Sequence, residues 1–175
     1  MASRAARATA VAALAGLLAF AWCARPSLAR VSAASAPAQA RRVVDVVTLG
    51  DARSEQEHEY AGEAVTDGTV DGRVFRQTAA WQRVSLGVYD DTEVALIATF
   101  RGSAGQPIAF DLLVDGCTVE APVFVSPSAA PVRVEYRVPF GCTRGATRIC
   151  VTIRAVSGRS PGLIQLQTLQ EHFER

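Results

Sequence analysis

Apolar and polar residues alternate with a period of two along most of the chain after residue 42. In RICVTIRA (Arg148–Ala155), every second position is isoleucine or valine, while polar side chains occupy the positions between them. Successive side chains of a β-strand point to opposite faces, so this period is typical of strands with one buried face. The pattern predicts eight strands, at Val43–Leu49, Trp81–Tyr89, Glu93–Phe100, Ile108–Val114, Thr118–Val125, Val132–Val138, Arg148–Ala155 and Leu163–Leu169.

Turn-forming residues separate these strands at the short spacing that an antiparallel sheet requires. The clearest case is FDLLVDG (Phe110–Gly116), where an apolar strand runs into Asp-Gly and more strand-like sequence follows. Asp-Gly at such a position favours a two-residue β-hairpin. After residue 42, no stretch of ten residues has a clean helical period. We therefore predict an all-β fold, an antiparallel jelly-roll or galactose-binding-like β-sandwich, with a small barrel as the alternative.

One long segment lacks the alternation. Residues Asp51–Ala80 are polar and rich in Asp, Glu and Gly. We predict an irregular segment here, and loops of this length in folded domains are commonly functional.

The N-terminus has the pattern of a secretory signal. Arg4 and Arg7 precede an uncharged apolar run, Ala8–Ala24, which is slightly shorter than the roughly 20 residues that span a bilayer. We predict a signal peptide at residues 1–29, a linker at 30–42 and one domain at 43–172. The alternatives are a later cleavage site at Ala38-Gln39-Ala40 and an uncleaved membrane anchor. The protein is accordingly expected to be secreted, either extracellular or periplasmic.

The charge balance argues against a polyanionic partner. All 18 basic residues are arginine, and three of them precede residue 30, which leaves 15 arginines against 17 acidic residues after it. Counted from residue 30 onward, with Arg30 included, the net charge of about −2 gives no basic excess for holding phosphates. Nucleic acid is therefore not expected as a partner.

Three cysteines follow the predicted signal: Cys117, Cys142 and Cys150. Three thiols in an oxidising compartment permit one disulfide and one leftover thiol. Cys142 and Cys150 flank the turn-rich segment GCTRGATRIC, so a local bridge between them is the first prediction. A bridge from Cys117 to either of them is the alternative, and the geometry of the fold decides.

Several segments together resemble the C-terminal β-sandwich of family 146 glycoside hydrolases and related β-L-arabinofuranosidases. The resemblance covers nearly all of Val43–Gln170. It rests on six pieces in the same order: VDVVTLGDARSEQEHEYAG, DGRVFRQTAAWQRVSLGVY, FDLLVDG, VEYRVP, ICVTIRA and GLIQLQTLQ.

The resemblance implies an accessory role rather than catalysis. In that family the chemistry belongs to a separate helical-barrel domain that holds zinc, and 175 residues leave no room for one. The chain thus resembles a stand-alone substrate-binding domain. The implied partners are a carbohydrate, with an arabinose-containing glycan as the candidate, and a glycoside hydrolase catalytic domain acting in trans.

Sugar binding requires aromatic rings that stack on C–H faces and planar polar groups that hydrogen-bond hydroxyls. Trp81 is the only tryptophan outside the predicted signal, and it stands where the irregular segment enters a strand. From there its ring either faces a cleft or plugs the end of the core.

The polar candidates for ligand binding are Glu55, His58, Arg73 and Arg76. Glu55 accepting from an arginine would form a charge-assisted network, which either binds hydroxyl groups or pins the long segment to the sandwich. An exposed cleft holding Trp81, Arg73 and Arg76 would favour sugar binding. Burial of all three would favour a structural or protein-docking module without sugar binding.

No motif for catalysis or metal binding stands out. A Gly-x-Ser-x-Gly elbow is absent, and no Cys or His pair has the short spacing typical of zinc sites. The acidic loop residues Asp67 and Asp71 offer oxygen ligands for calcium, but both precede glycine, as turn residues do. The chain is predicted to be no enzyme and to need no metal or cofactor.

Overall fold

The computed structural model describes residues 41–90, 92–120 and 123–171. The predicted signal peptide and most of the predicted linker lie outside these residues, and Arg41 and Arg42 belong to the first strand. The strands are β1 (Arg41–Thr48), β2 (Ala61–Val70), β3 (Arg73–Gly87), β4 (Val94–Phe100), β5 (Ile108–Val114), β6 (Cys117–Glu120), β7 (Val123–Phe124), β8 (Val132–Val138), β9 (Arg148–Ala155) and β10 (Leu163–Glu171).

Helical structure within the described residues is short. It comprises α1 (Ala52–Glu57) and a single 3-10 turn at Phe140–Cys142. Asp51 caps α1, because its carboxylate accepts from the N–H groups of Arg53 and Ser54. Neither helix has the length and apolar character needed to cross a membrane.

Every strand pairing is antiparallel. The main path of hydrogen-bonded strands runs β6-β5-β9-β3-β10-β4-β8, with β1 paired to β10, β2 to β3 and β7 to β5. Strand β3 takes part in both halves of the sandwich. Its end at Leu86 pairs with β9, whereas its beginning pairs with β2 and meets β10 at Leu163. The predicted all-β, antiparallel jelly-roll class of β-sandwich is confirmed.

The core lies between the two halves and is built from the alternating apolar positions. In β9, Ile149, Val151 and Ile153 are at most 2% exposed, as the period of two predicts. The ring of Phe100 packs against the rings of Phe110 and Phe124, with centroid distances of 5.7 and 5.4 Å. These edge-on and tilted contacts join β4, β5 and β7 across the interior.

The predicted hairpin at Asp115-Gly116 is confirmed. Val114 pairs with Cys117, and the two turn residues have φ angles of 47° and 81°. A two-residue turn with positive φ at both positions matches the twist of the strands it joins, and Gly adopts this conformation without strain. The turn therefore links β5 directly to β6.

The prediction of an irregular segment over Asp51–Ala80 is wrong. The segment contains α1, all of β2 and the first half of β3. A second Asp-Gly turn, Asp71-Gly72, makes a hairpin of β2 and β3, with φ angles of 48° and 72°. Strand β2 lacks a buried residue along its whole length. Without a buried face the alternation disappears from the sequence, which is why periodicity missed this strand.

Candidate functional site

A β-bulge in β3 sets the direction of the Trp81 side chain. The first buried residues of β3 are Phe75, Thr78 and Gln82, which are three and then four positions apart. From Gln82 to Leu86, every second residue is buried. In a regular strand Trp81 would share the face of Phe75 and point inward. The register with β2 shifts between Glu63 and Val65, and a bulge of this kind re-aims side chains. Gln82 is 2% exposed, and Trp81 lies on the opposite, outer face of the strand.

Thr78 holds the bulge together from inside. Its side chain is fully buried, and its hydroxyl donates to the carbonyl oxygen of Glu63 and accepts from the N–H of Ala80. Its own N–H donates to the hydroxyl oxygen of Ser160. Buried polar groups that are satisfied in this way fix the local backbone, so Trp81 stands on a rigid strand.

Four side chains form one row across the outer face of the sheet. Trp81 is directly opposite Glu63 of β2 on one side and Arg154 of β9 on the other, and Arg154 is opposite Asp111 of β5. Directly opposed residues lie on the same face, about 4.5–5.5 Å apart at Cβ. The sheet thus lines up an acid, an indole, a guanidinium and a second acid.

Hydrogen bonds join the members of this row in two pairs. The indole Nε1 of Trp81 donates to Glu63 Oε2 at 3.0 Å. Arg154 donates to Asp111 Oδ2 from both Nε and Nη2, at 3.0 and 2.6 Å. Arg83, two residues beyond Trp81, lies with its guanidinium carbon 5.6 Å from the centre of the indole ring. We call Glu63, Trp81, Arg83, Asp111 and Arg154 the Trp81 face.

The Trp81 face has the chemical groups that recognise a sugar. The half-buried indole offers an apolar surface for C–H groups, the guanidiniums donate hydrogen bonds, and the carboxylates accept them from hydroxyls. A ligand that stacks on the ring has to share or displace the Arg83 contact. Arg154 is 58% exposed, so its donors remain accessible to a ligand.

A shallow cavity of about 260 Å³ adjoins the Trp81 face. Arg83 belongs to both, and the cavity is also lined by Glu59, Val84, Ser85 and Cys150. This volume is just below the roughly 300–1,000 Å³ of pockets that enclose a whole small molecule. The surface therefore suits a ligand that lies along the sheet rather than one that is engulfed.

Glu55 and Arg76, two of the residues predicted for ligand binding, contact each other. Arg76 Nε donates to Glu55 Oε1 at 2.7 Å and its Nη2 donates to Oε2 at 3.0 Å. Glu55 also accepts from the N–H of Gly50, and the Arg76 guanidinium lies 5.5 Å from the ring centre of Tyr60. The expected charge-assisted network is present, and its contacts pin α1 to β3. Ligand binding by this pair stays a prediction.

His58 is 8% exposed, and both of its ring nitrogens have partners. Nδ1 contacts the carbonyl oxygen of Ser54 at 2.6 Å, and Nε2 contacts Asp45 Oδ1 at 3.0 Å. Asp45 in turn accepts from the N–H groups of Val46 and Gly87. His58 thus ties the end of α1 to β1 and β3, and its predicted contact with a ligand stays a prediction.

Arg73 lies apart from the other predicted residues. It is exposed beside the β2–β3 turn and lines a separate cavity of about 280 Å³ together with Thr48, Asp51 and Gln165. Trp81, Arg73 and Arg76 thus share strand β3 without forming one cleft, and none of the three is in the buried core. Of the residues predicted from the sequence, Trp81 alone belongs to the Trp81 face.

Glu63, Arg83, Asp111 and Arg154 were missed as site residues because they come from four different strands. Their sequence signal is weak: Arg83, Asp111 and Arg154 are charged residues at outward positions of alternating strands, and Glu63 lies in β2, which shows no alternation. The register of the strand pairings places Glu63, Arg154 and Asp111 in one row with Trp81.

The cysteines differ from the first prediction. In the structure Cys117, Cys142 and Cys150 are free thiols, so the Cys142–Cys150 bridge is not formed in it. Burial, and after it the neighbouring Cys117 thiol, raises the pKa of the Cys142 thiol. Among the described residues, no three His, Cys, Asp or Glu side chains converge as a metal site would require.

The anchored carboxylates predict a loss of stability in acid. Burial by itself would raise the pKa of Asp45, but hydrogen bonds from Gly87, His58 and Val46 outweigh burial and lower the pKa. Burial opposes ionisation of Glu55 in the same way, and the Arg76 and Gly50 hydrogen bonds lower its pKa. A carboxylate whose pKa is lower in the folded than in the unfolded chain stabilises the fold at pH values above its unfolded pKa of about 4. This contribution is lost as the pH falls through the lower, folded-state pKa.

We therefore expect the urea midpoint to fall steeply below about pH 4.5, and Asp45→Asn to flatten this acid limb. At pH 7 the same substitution should cost roughly 1–2 kcal/mol, because it weakens hydrogen bonds to a charged group. Urea denaturation between pH 7 and 3 measures both effects. Glu93→Gln, at an exposed position, is the matched control. An acid limb unchanged in Asp45→Asn would refute this account of Asp45.

The sheet topology places the described domain in the class of antiparallel β-sandwiches. Comparison with known proteins then shows its family. The model of a family of unknown function, DUF6805, matches residues 38–168, and the chain belongs to that family. No curated protein matches the chain.

The solved structures that the chain is similar to include carbohydrate-binding modules. A family 35 module from Clostridium thermocellum is 12% identical over 74% of this chain and 97% of its own, with a TM-score of 0.49. A family 36 module in complex with calcium and xylotriose is 12% identical over 73% and 98%, with a TM-score of 0.47. A family 35 module from Cellvibrio japonicus is 10% identical over 70% and 91%, with a TM-score of 0.48. At these identities, the function of this chain has to be argued from its own residues.

Proposed function

We propose that the protein is a non-catalytic carbohydrate-binding β-sandwich whose binding surface is the Trp81 face. The observation that carries this proposal is the cross-strand row, in which Trp81 stands between Glu63 and Arg154 on the outer side of the sheet. An aromatic ring flanked by planar donors and acceptors, on a rigid scaffold, is the arrangement that sugar recognition requires.

The finer part of the proposal concerns the ligand and the setting. An arabinose-containing glycan is the proposed ligand, in line with the resemblance of Val43–Gln170 to the accessory domains of arabinose-releasing glycoside hydrolases. The predicted signal peptide supports action outside the cytoplasm. In that setting the module would hold substrate for a hydrolase catalytic domain supplied in trans.

The geometry of the Trp81 face favours an extended ligand. The row crosses β2, β3, β9 and β5, and neighbouring strands lie about 4.8 Å apart, so it spans roughly 14 Å. That length exceeds one sugar ring. An oligosaccharide lying across the strands would contact the indole and the Arg154–Asp111 pair together.

The test is calorimetric titration of the purified protein with a panel of oligosaccharides. Arabinose-containing chains are compared with xylose- and galactose-containing chains of equal length, and with the free monosaccharides. We expect saturable binding of the arabinose-containing chains and weaker binding of free arabinose. Binding of another sugar class would retain carbohydrate binding and reject arabinose. Absence of binding to every glycan would overturn the proposal in favour of a protein-docking module.

A further inference from the structure

Alternation along β9 separates Cys150 from the other two cysteines. Cys150 is opposite Ser85 in the pairing with β3, and both line the cavity beside Arg83 on the outer face. Its chain neighbour Val151 is 1% exposed and belongs to the core. Because successive side chains of a strand alternate, Cys150 points away from the interior.

Cys117 lies on the opposite, inner side. In the β5–β6 hairpin it is directly opposite Val114, which is fully buried, and Val114 is itself opposite Val151. Directly opposed residues of antiparallel strands share a face. The thiol of Cys117 is therefore directed toward the core side of the sheet.

Cys142 reaches the same side from the other half of the sandwich. It ends the 3-10 turn that follows β8, and its side chain packs against the hydrophobic core. Strands β6 and β8 also contact each other. Burial together with the neighbouring Cys117 thiol raises the pKa of Cys142 to about 11.

We propose that Cys117 and Cys142 form the disulfide of this protein and that Cys150 remains a free thiol. The bridge would join β6 to the 3-10 turn that follows β8, and β6 and β8 are the two terminal strands of the main strand path, so it would tie the two halves of the sandwich at their open edge. It supersedes the Cys142–Cys150 bridge predicted from loop composition. That bridge would need an outward thiol of β9 to meet a thiol packed against the core.

The reaction requires a disulfide oxidant, as oxidising compartments supply. The two protein thiols react with one oxidised glutathione. One sulfur–sulfur bond forms in the protein, the bond in glutathione breaks, and two molecules of reduced glutathione carry away both hydrogens.

The sequence makes the pairing easy to map. Trypsin cleaves after arginine, and Arg144 and Arg148 lie between Cys142 and Cys150. The three cysteines therefore fall into separate peptides, residues 102–133, 138–144 and 149–154. The protein is oxidised with glutathione, its remaining thiols are blocked with N-ethylmaleimide, and the non-reduced digest is examined by mass spectrometry.

We expect peptide 102–133 linked to 138–144, with N-ethylmaleimide on 149–154. A link between 138–144 and 149–154, a link between 102–133 and 149–154, glutathione adducts alone, or three blocked thiols would each overturn the proposal.

Stability provides a second readout. The bridge closes a loop of about 25 residues, so oxidation should raise the melting temperature by about 10 °C. Cys150→Ser should retain this rise, and Cys142→Ser and Cys117→Ser should each abolish it. If one of the latter variants fails to fold, the other carries the comparison. An equal rise in all variants, or its loss in Cys150→Ser alone, would contradict the pairing.

Discussion

Replacing Trp81 with alanine should reduce the affinity of the protein for an arabinose-containing oligosaccharide by at least about tenfold. The indole supplies the apolar surface of the Trp81 face, and losing its buried apolar area together with its ring contact should cost at least the roughly 1.4 kcal/mol of a tenfold change. Trp81→Phe keeps a ring and removes the hydrogen bond to Glu63. We expect this variant to retain most of the affinity.

The control for this substitution is Tyr89→Ala. Tyr89 is 53% exposed and lies beyond the end of β3, away from the row. Its removal should leave the affinity within about twofold of the native value. Titration calorimetry measures the affinities, and thermal unfolding checks that each variant is folded. Equal affinity in Trp81→Ala and native protein would remove Trp81 from the binding surface.

Replacing Phe100 with alanine should lower the free energy of unfolding by about 4 kcal/mol. Phe100 is completely buried, and its ring contacts those of Phe110 and Phe124. Truncating a buried phenylalanine removes apolar burial and leaves a cavity, which together typically cost 3–5 kcal/mol. This loss is a large fraction of the 5–15 kcal/mol that stabilise an ordinary domain.

Phe140→Ala is the matched control for the core. Phe140 is 42% exposed, so its truncation should cost less than about 1 kcal/mol. Urea denaturation at pH 7 compares the two variants with the native protein. A loss below 1 kcal/mol in Phe100→Ala would show that the core is not packed around Phe100.

The strands were predictable wherever one face is buried. Six of the observed strands both begin and end within two residues of the predicted boundaries, and the Asp115-Gly116 dipeptide predicts its turn directly. Strand β2 was not predictable from periodicity, because it buries no residue of its own. The Asp71-Gly72 dipeptide is the sequence signal that indicates β2, since Asp-Gly between two strand-forming segments favours a hairpin.

The candidate site was only partly predictable. Trp81 stood out as the single tryptophan after the predicted signal, but the bulge that turns it outward is set by tertiary contacts of Thr78. Its partners Glu63 and Arg154 depend on strand register, which a single sequence does not reveal. Conversely, the sequence predicts that Glu55 accepts from an arginine, with Arg73 and Arg76 as the candidates, and in the structure both Glu55 carboxylate oxygens accept from Arg76.

The most direct test of the central claim is the fluorescence of Trp81 during titration. The sequence contains two tryptophans, so Trp81 is the only one left in a Trp22→Phe variant of the full chain. We predict that an arabinose-containing oligosaccharide changes its emission along a saturable curve, with the dissociation constant found by calorimetry. Calorimetric binding without any change in Trp81 emission would contradict the claim, as would the absence of binding to any glycan.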